Sequence, residues 1–577
     1  MTSIRVTNFG GMRKRNSRGL QNPDGASLAK DVKLWHGTLA PWRYPALIEE
    51  TDLEQVCKIY KQNCCILVSD NNCASFTKGD PACEHRVFST GVMPWPAYTT
   101  LPDCPKCNSV VEPQWCRLGV PKSQTAPVII DHDLPDTPKP ETEVDYSYQE
   151  KREPRGYAFS FVNDYGEEGE LSPASEIVDM DTDGNATIGF NVPPHEDYCL
   201  DTIRIYRLLP LENHAIVVTD DSNNPATSGY FLVAEIDFTV GNITFVDDLD
   251  SDLIEDYNTE YCATIPLENL QNIRMTNSGS LVASEGKNLW FSEPWNFHAW
   301  SCFMSFDYCV EAIGVVGNNI YLATNGNAYV LTDTINEEEC KCCRSVAEMN
   351  ESTPIACKNT FVETPTGVIF ATHDGLVRIS GAGLQYISLG YYGSDQWGEW
   401  FPHNMRSEYY KGQYFGFNAS RGFLYDVSEG FYSDRNVGEE SQFTELSLTP
   451  NALFVTDQNE LLMSFGRDIY QWDASDTFLP YTWRSKLNVE GGTTNLGYGK
   501  IVFENWISRH PVPNPVMLTL YVDDRVVFRR RVNNSQVFTL PRGYDSLNFE
   551  IEIEGIETVM ELHLASTKRE LTLLNNT

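Results

Sequence analysis

Leu281–Phe291 (LVASEGKNLWF), Ile320–Leu331 (IYLATNGNAYVL), Val368–Ile379 (VIFATHDGLVRI), Tyr414–Tyr425 (YFGFNASRGFLY) and Leu453–Met463 (LFVTDQNELLM) are five versions of one unit. Each reads apolar strand, turn, apolar strand. Their turns, at Gly286, Gly326, Gly375, Gly422 and Asn459, follow one another at 40, 49, 47 and 37 residues. A repeat of 40–50 residues in a strand-rich sequence marks propeller blades. One hairpin cannot bury its own apolar face, so neighbouring blades must stack around an axis. A sixth unit is expected from Asp468–Trp472 (DIYQW), or from an N-terminal hairpin such as Val32–Trp42 closing the ring. The alternative architecture is a meandering β-sandwich.

Outward from the repeats the chain stays β. Short runs rich in Val, Ile, Tyr and Phe are cut by Gly, Asn and Asp turns. The best helix candidate is Asp52 to Tyr60 (DLEQVCKIY), with an acidic first turn. Residues 122–145 have the Pro-rich, acidic composition of a linker. After them Tyr157, Phe159 and Phe161 alternate with smaller residues. A turn, Asn163-Asp-Tyr-Gly-Glu-Glu-Gly-Glu-Leu-Ser-Pro-Ala-Ser175, leads to strands at Thr202–Arg207, Tyr230–Ile236 and Ile243–Val246. That spacing fits a β-sandwich, and the Y-x-F-x-F strand, the G-E-E-G turn and the I-R-I-Y-R strand resemble a fibronectin type III module. Leu518–Arg531 reads as a hairpin across Asp523-Asp524, and Leu547–Ile553 alternates as a half-buried strand does. The expected class is mainly β: an irregular β-propeller combined with a fibronectin III-like β-sandwich and further β modules. The expected division is a Cys-rich N-terminal assembly region over 1–121, an acidic linker and sandwich over 122–265, propeller repeats over 266–485 and a C-terminal β domain over 486–577.

Charge separates these regions. The 577 residues carry 43 Lys and Arg against 80 Asp and Glu, a net charge of −37. From Met1 to Arg43 eight basic residues face two acidic ones, whereas from Asp131 to Glu260 31 acidic residues face six basic ones. Such a balance argues against binding nucleic acid by neutralising its phosphates, which runs on Lys and Arg. It permits a protein that lets nucleic acid pass without holding it. The same carboxylates are equally a solvated, soluble surface. No apolar run approaches the roughly 18 residues of a membrane helix. The N-terminus lacks the apolar core of a secretory signal.

Eight of the 16 cysteines lie between Cys57 and Cys116, and a second group is Cys340, Cys342, Cys343 and Cys357. Cys104-Pro-Lys-Cys107 has C-x-x-C spacing, and a zinc ribbon needs two such pairs. Mostly free buried thiols, some disulfides, and a zinc site completed by Cys340-Lys-Cys342-Cys343 all stay open. Disulfides would form after the protein leaves a reducing cytosol.

No phosphate-binding loop, G-x-S-x-G elbow or H-E-x-x-H occurs. Asp179-x-Asp181-x-Asp183-Gly184 resembles half a calcium loop, but its twelfth position is Phe190 rather than Glu, so it reads as an acidic turn. No catalytic, cofactor-binding or metal-binding residue is expected. Arg13-Lys14-Arg15 and Arg18 read as a protein contact or a flexible arm. Arg529-Arg530-Arg531 reads as a solvated edge. Trp290, Trp295 and Trp300 read as core or blade-seam residues; as aromatic platforms they would suit a glycan.

Several phrases together resemble phage virion proteins of the tail tubular protein B, or nozzle, type. They are Phe9-Gly-Gly11, Ala26-Ser-Leu-Ala29, Val32-Lys-Leu34 and Gly37-Thr-Leu-Ala-Pro41-Trp-Arg-Tyr-Pro45. Arg117-Leu-Gly-Val-Pro121 with Ala126-Pro127, the turn Asp164–Ser175 and Leu289-Trp-Phe-Ser-Glu-Pro294…His298-Ala-Trp300 follow. Trp397…Pro402…Tyr409…Gly412-x-Tyr414, Trp483-Arg-Ser-Lys486 and Leu540-Pro-Arg-Gly-Tyr544 complete the order. The Cys57–Cys116 region is richer in cysteine than the family leads one to expect. The resemblance implies a structural protein of a short-tailed phage, not an enzyme. It implies a homohexameric ring below the adaptor and portal, contacts to tail fibres or appendages, and genomic DNA passing down the lumen without specific binding. It implies a place in the virion tail after synthesis in the host cytoplasm, with no cofactor and no membrane insertion. Two other readings remain: a tail or baseplate structural protein of a long-tailed phage, and a propeller lectin or polysaccharide-cleaving receptor-binding protein.

Overall fold

The computed structural model describes residues 3–20, 24–79, 85–104, 107–134, 152–181, 183–210, 228–250, 254, 257–258, 264–334, 344–427, 443–504, 511–542, 544 and 546–574. The chain is mainly β. Among these residues there are two short α-helices, Ser394–Gly398 and Lys568–Leu574.

Seven small sheets form a propeller. Blade 3 (Gln271–Met275, Leu281–Glu285, Asn288–Phe291, Cys302–Ser305), blade 4 (Val310–Val316, Asn319–Thr324, Asn327–Thr332, Ser345–Ser352) and blade 5 (Val362–Thr364, Gly367–Ala371, Leu376–Ser380, Gly383–Tyr386) are each four antiparallel strands in sequence order. So is blade 6 (Arg406–Tyr410, Gln413–Phe417, Gly422–Asp426, Phe443–Leu446), whose outer strand continues into the C-terminal sheet. Blade 7 takes three strands from Ala452–Val455, Leu461–Phe465 and Asp468–Gln471, and its fourth from Ala46–Glu50. Blade 1 is Lys58–Gln62, Cys65–Ser69 and the two-residue strand Ser109–Val110. Blade 2 is Ser75–Lys78, Arg86–Thr90, Ala97–Thr100 and Cys116–Arg117.

Seven apolar seams close the circle. Leu67 meets Val87 between blades 1 and 2, Phe88 meets Leu281, Val282 meets Ile313, and Tyr321 meets Phe370. Ile369 meets Tyr414, Phe417 meets Met463, and Leu462 meets Ile66 across the closing seam. The period of two explains the continuous apolar runs. In Gly367–Ala371, Val368 and Phe370 enter one seam while Ile369 and Ala371 enter the next. A strand buried on both faces needs apolar residues at every position.

Five expectations are corrected. The closing strand is Ala46–Glu50, not Val32–Trp42; Val32–Lys33 pairs instead with Ala40–Pro41. Asp468–Gln471 is the third strand of blade 7 rather than the mark of another blade. The fifth sequence copy is displaced by one strand, because the turn of blade 7 equivalent to Gly422 is Gly466. Residues 46–117 supply two blades and the closing strand, so the propeller is not confined to 266–485. Asp52–Tyr60 is not a helix. Its last three residues belong to the strand Lys58–Gln62, in which pairing with Cys65–Ser69 outweighs local propensity.

The two chain ends share a second core. Ser3–Val6 pairs with Val559–Ala565, and Ala26–Lys30 pairs with Tyr481–Ser485. Phe9 is fully buried and meets Trp483 edge-to-face at 4.9 Å. Thus the C-terminal β domain is completed by residues 3–30. Between blades 2 and 3 the chain leaves to form a sandwich of Val128–His132, Ala186–Val192 and Gly241–Asp247 on a five-stranded sheet containing Arg152–Asn163, Leu200–Pro210 and Ser228–Asp237. Its first strand lies inside the stretch expected to be linker. Phe159, Phe161, Ile188 and Ile203 fill its core.

Candidate functional site: the propeller axis and the docked acidic module

The first strands of blades 3 to 7 and the first strand of blade 1 lie side by side around the axis. Five of these six inner strands carry a charged residue; besides Glu311 (blade 4) these include Lys58 (blade 1), Arg274 (blade 3), Glu363 (blade 5) and Glu408 (blade 6). The Lys58 ammonium donates to Asn359 Oδ1 at 2.7 Å, in the turn that precedes blade 5. Blades 1 and 5 are not neighbours, so this bond crosses the middle of the ring. The Arg274 guanidinium lies 3.5 Å from Glu363, whose Oε1 also accepts the Val315 N–H of blade 4. Lys58 and Glu408 are half-buried, open to the axis but walled by protein. Burial pushes the Glu408 carboxyl up to about 7, opposed by the Tyr409 N–H and by Lys58. Burial pulls the Lys58 ammonium down to about 8; Arg274 and Lys358 add to the shift and Glu408 opposes it. Around the axis, two cations and two carboxylates therefore link blades 1, 3, 4 and 5 by hydrogen bonds and an ion pair, with Glu408 of blade 6 in the field of Lys58. None of these four was singled out from sequence. The signal was there: a charge inside the first strand of a blade.

The acidic sandwich is fixed to blade 2 through its G-E-E-G turn. Asn163 organises that turn, its Oδ1 accepting the N–H groups of Tyr165 and Glu167. Glu167 then meets Arg86 in a two-point ion pair at 2.7 and 2.9 Å. Arg86 is buried and stacked on Tyr165 at 3.9 Å, with Phe88 and Tyr98 around it. Burial alone would raise the Glu167 pKa, but Arg86 outweighs it and holds the carboxyl below its ordinary value. Tyr98 donates to Asp164 at 2.6 Å, and the disulfide Cys116–Cys199 ties blade 2 to the sandwich.

The acid of 131–260 divides into two populations. Glu167, Glu168 and Asp247 are internal: Glu168 takes Arg204 at 2.7 Å, and fully buried Asp247 takes Arg207 and the Tyr157 hydroxyl. Asp131, Glu176, Asp179, Asp201, Asp237 and Asp248 are exposed, on the strands and turns of both sheets. They form a coat over the module rather than a stripe on one face. Asp181 caps its own turn by accepting the Asp183 N–H, and Phe190 belongs to the core. Among the described residues no group of three or more His, Cys, Asp or Glu is placed to hold a metal ion.

The basic N-terminal stretch is not a free arm. Lys14 pairs with Glu445, Arg15 donates to the Leu389 carbonyl, and Arg18 pairs with Asp524 and Glu550. Arg529 and Arg531 are exposed on the edge strand Arg525–Val532. Trp300 is buried, Trp290 stacks on Phe303 at 4.7 Å, and Trp295 is 53% exposed, so the three share no open platform. The cysteines resolve in part. Cys65–Cys104 and Cys116–Cys199 are disulfides, Cys302 is also disulfide-bonded, and Cys57, Cys73, Cys309 and Cys357 are free. Cys104 is thus a disulfide partner, not a zinc ligand; Cys340–Cys343 lie outside the described residues.

No protein-family model matches the chain, and no curated protein matches it by sequence. Among solved structures, the Neurospora crassa Pan2 WD40 domain is similar at 9% identity and a TM-score of 0.26, over 62% of this chain and 96% of that one. PorZ, a surface component of the type-IX secretion system of Porphyromonas gingivalis, is similar at 10% identity and a TM-score of 0.25, over 62% of this chain and 53% of that one. Kluyveromyces lactis Hsv2 is similar at 10% identity and a TM-score of 0.24, over 47% of this chain and 99% of that one. Likenesses this distant carry no argument; the propeller stands on its seven seams.

Proposed function

We propose that this chain is a structural protein of a bacteriophage tail, the nozzle ring through which DNA leaves below the portal and adaptor. The observation that carries the reading is the order of nozzle-like phrases from Phe9 to Tyr544. The architecture supports it. Both chain ends are woven into one block, the propeller axis is braced by side chains, and the acidic module is held by Arg86–Glu167 and Cys116–Cys199. In this reading the protein is not an enzyme and works by geometry and charge. Six blocks surround a lumen, and carboxylates facing it repel phosphate so that the duplex slides. Cations there would add binding wells that salt screens. In this reading DNA runs between subunits and not through the axis of any one of them. Partners are further copies of the chain, the adaptor and portal ring, and tail fibres or appendages. Electron microscopy of virions, or of the protein assembled on its adaptor, tests this. A six-fold ring below the adaptor is expected; a trimeric spike overturns the assignment, and a ring within a long contractile or flexible tail moves it to the baseplate relatives.

A further inference from the structure

Among the described residues blade 1 is the smallest blade. It has three strands, and its outer strand is two residues long. That strand is reached only after the chain has built three strands of blade 2, so blades 1 and 2 are interlaced. Four cysteines gather at this crossing: Cys64 and Cys65 at the start of the second strand, and Cys104 and Cys107 in the connection before the third. Cys65 and Cys104 are bonded, with Cα atoms 6.0 Å apart. Beside them the Cys64 and Cys107 sulfurs are 2.8 Å apart, closer than two non-bonded sulfur atoms pack. Backbone holds them there. The Ser109 N–H donates to the Cys64 carbonyl, and the Val111 N–H donates to the Ile66 carbonyl. Cys64 is half-exposed and Cys107 is exposed, so both are open to a small reagent.

We infer that Cys64 and Cys107 are a second, surface-accessible oxidation site that closes a twin cystine with Cys65–Cys104. The oxidant is a low-molecular-weight disulfide of the glutathione class. The Cys64 thiolate attacks it, forming a mixed disulfide and releasing one small thiol. The Cys107 thiolate then displaces the second small thiol, leaving the Cys64–Cys107 bond. Two protein thiols lose two electrons and two protons, and the reagent gains them. In a reducing cytosol the outer pair stays open; it closes after release of the particles, when the ring needs to persist. Two adjacent cross-links hold the two-residue strand against a one-bond pivot.

Tryptic mapping without reduction tests this, because Lys106 separates the two C-x-x-C cysteines. Full-length protein is alkylated in intact cells, and a second sample is oxidised with glutathione disulfide before alkylation. In the oxidised sample the fragment 62–78 is expected joined to both 87–106 and 107–117. In the cell-alkylated sample the link to 107–117 is lost. In Cys64→Ser, oxidised in the same way, the link between 62–78 and 107–117 is expected to be absent, Cys107 carrying the label or one glutathione instead. Labelled Cys64 and Cys107 after oxidation overturn the inference. So does a link between 62–78 and 107–117 that persists in Cys64→Ser, or native mass spectrometry showing a zinc ion with all four thiols reduced.

Discussion

Blades 3 to 6 and blades 7, 1 and 2 bury the same kind of apolar seam, yet they are built in opposite ways. Each strand of blades 3 to 6 pairs with its neighbour in sequence, across turns of a few residues or one longer connection. Blade 7 waits for a strand from residues 46–50, and blades 1 and 2 exchange strands along residues 58–117. Local hairpins close cheaply, whereas distant ones meet a loop-closure cost before any contact rewards them. The chain reinforces this half of the ring. The closing seam carries Lys61 against Glu460 and Ser464 donating to the Val56 carbonyl, and the described cystines Cys65–Cys104 and Cys116–Cys199 lie on blades 1 and 2.

The most damaging way to break the comparison is to remove the distant partners. Deleting residues 1–50 takes away the closing strand of blade 7, the strand Ala26–Lys30 and the buried Phe9. The cooperative urea transition should disappear, with near-ultraviolet dichroism lost. A variant that keeps a sharp transition would show that six and a half blades close without their lock. Deleting only residues 1–20 should already weaken folding, since Phe9, Met12 and Arg18 are built into the block, and incorporation into particles should fall with it.

Next in size is the joint between blade 2 and the sandwich. Arg86→Met leaves Glu167 buried without its cation, at a cost of roughly 3–5 kcal/mol. Limited proteolysis should then cut between residues 117 and 270 first, while blades 3 to 6 survive. Uniform cutting along the chain would mean that the joint is not a separate point of weakness.

These two halves also explain what the sequence could show. The repeat at Gly286, Gly326, Gly375 and Gly422 was legible because each turn joins adjacent strands with apolar residues on both faces. Ala46–Glu50 was not, because ALIEE is half-exposed and its partner Asp468–Gln471 lies over four hundred residues away. Asp52–Tyr60 misled for the same reason: its acidic turn is local, but its pairing with Cys65–Ser69 is what decides. The fibronectin-like turn was legible as a turn, yet its role as the plug on Arg86 needed the third dimension. For the axial residues the sequence shows each charge inside a blade's first strand, but not that they meet, because Lys58, Arg274, Glu363 and Glu408 are far apart in sequence and come together only when the ring closes.

That cluster gives a smaller, pH-dependent effect. The Glu408 pKa is raised from 4.5 to about 7, so between those values the folded protein holds a proton that the unfolded chain has lost. This contribution is present below pH 4.5 and is lost as pH rises through 7. Glu408→Gln should therefore unfold at higher urea than the parent at pH 8, and the gap should shrink steadily toward pH 5. Lys58 has the opposite form, its penalty being relieved as pH rises from about 8 to 10.5. A gap that is constant with pH would place Glu408 in bulk solvent rather than at the axis.

The smallest effect on stability carries the largest consequence for function. Exposed carboxylates such as Asp131, Glu176, Asp201 and Asp237 hold no buried partner, so their reversal to Lys should change stability by only about 0.5 kcal/mol or less. Because the coat covers both sheets of the sandwich, the molecule supplies its own control. Only one side of a module in a ring can face the lumen. Reversing Asp131, on the three-stranded sheet, and reversing Asp237, on the five-stranded sheet, should then differ in their effect on DNA ejection. The lumen-side set should slow ejection, more at low salt than at high salt, because each new cation releases counterions as it takes hold of a phosphate. The other set should leave the rate unchanged while lowering the net negative charge equally. Equal slowing by both would make bulk charge the cause, and no slowing by either would place the coat in solvent on every side.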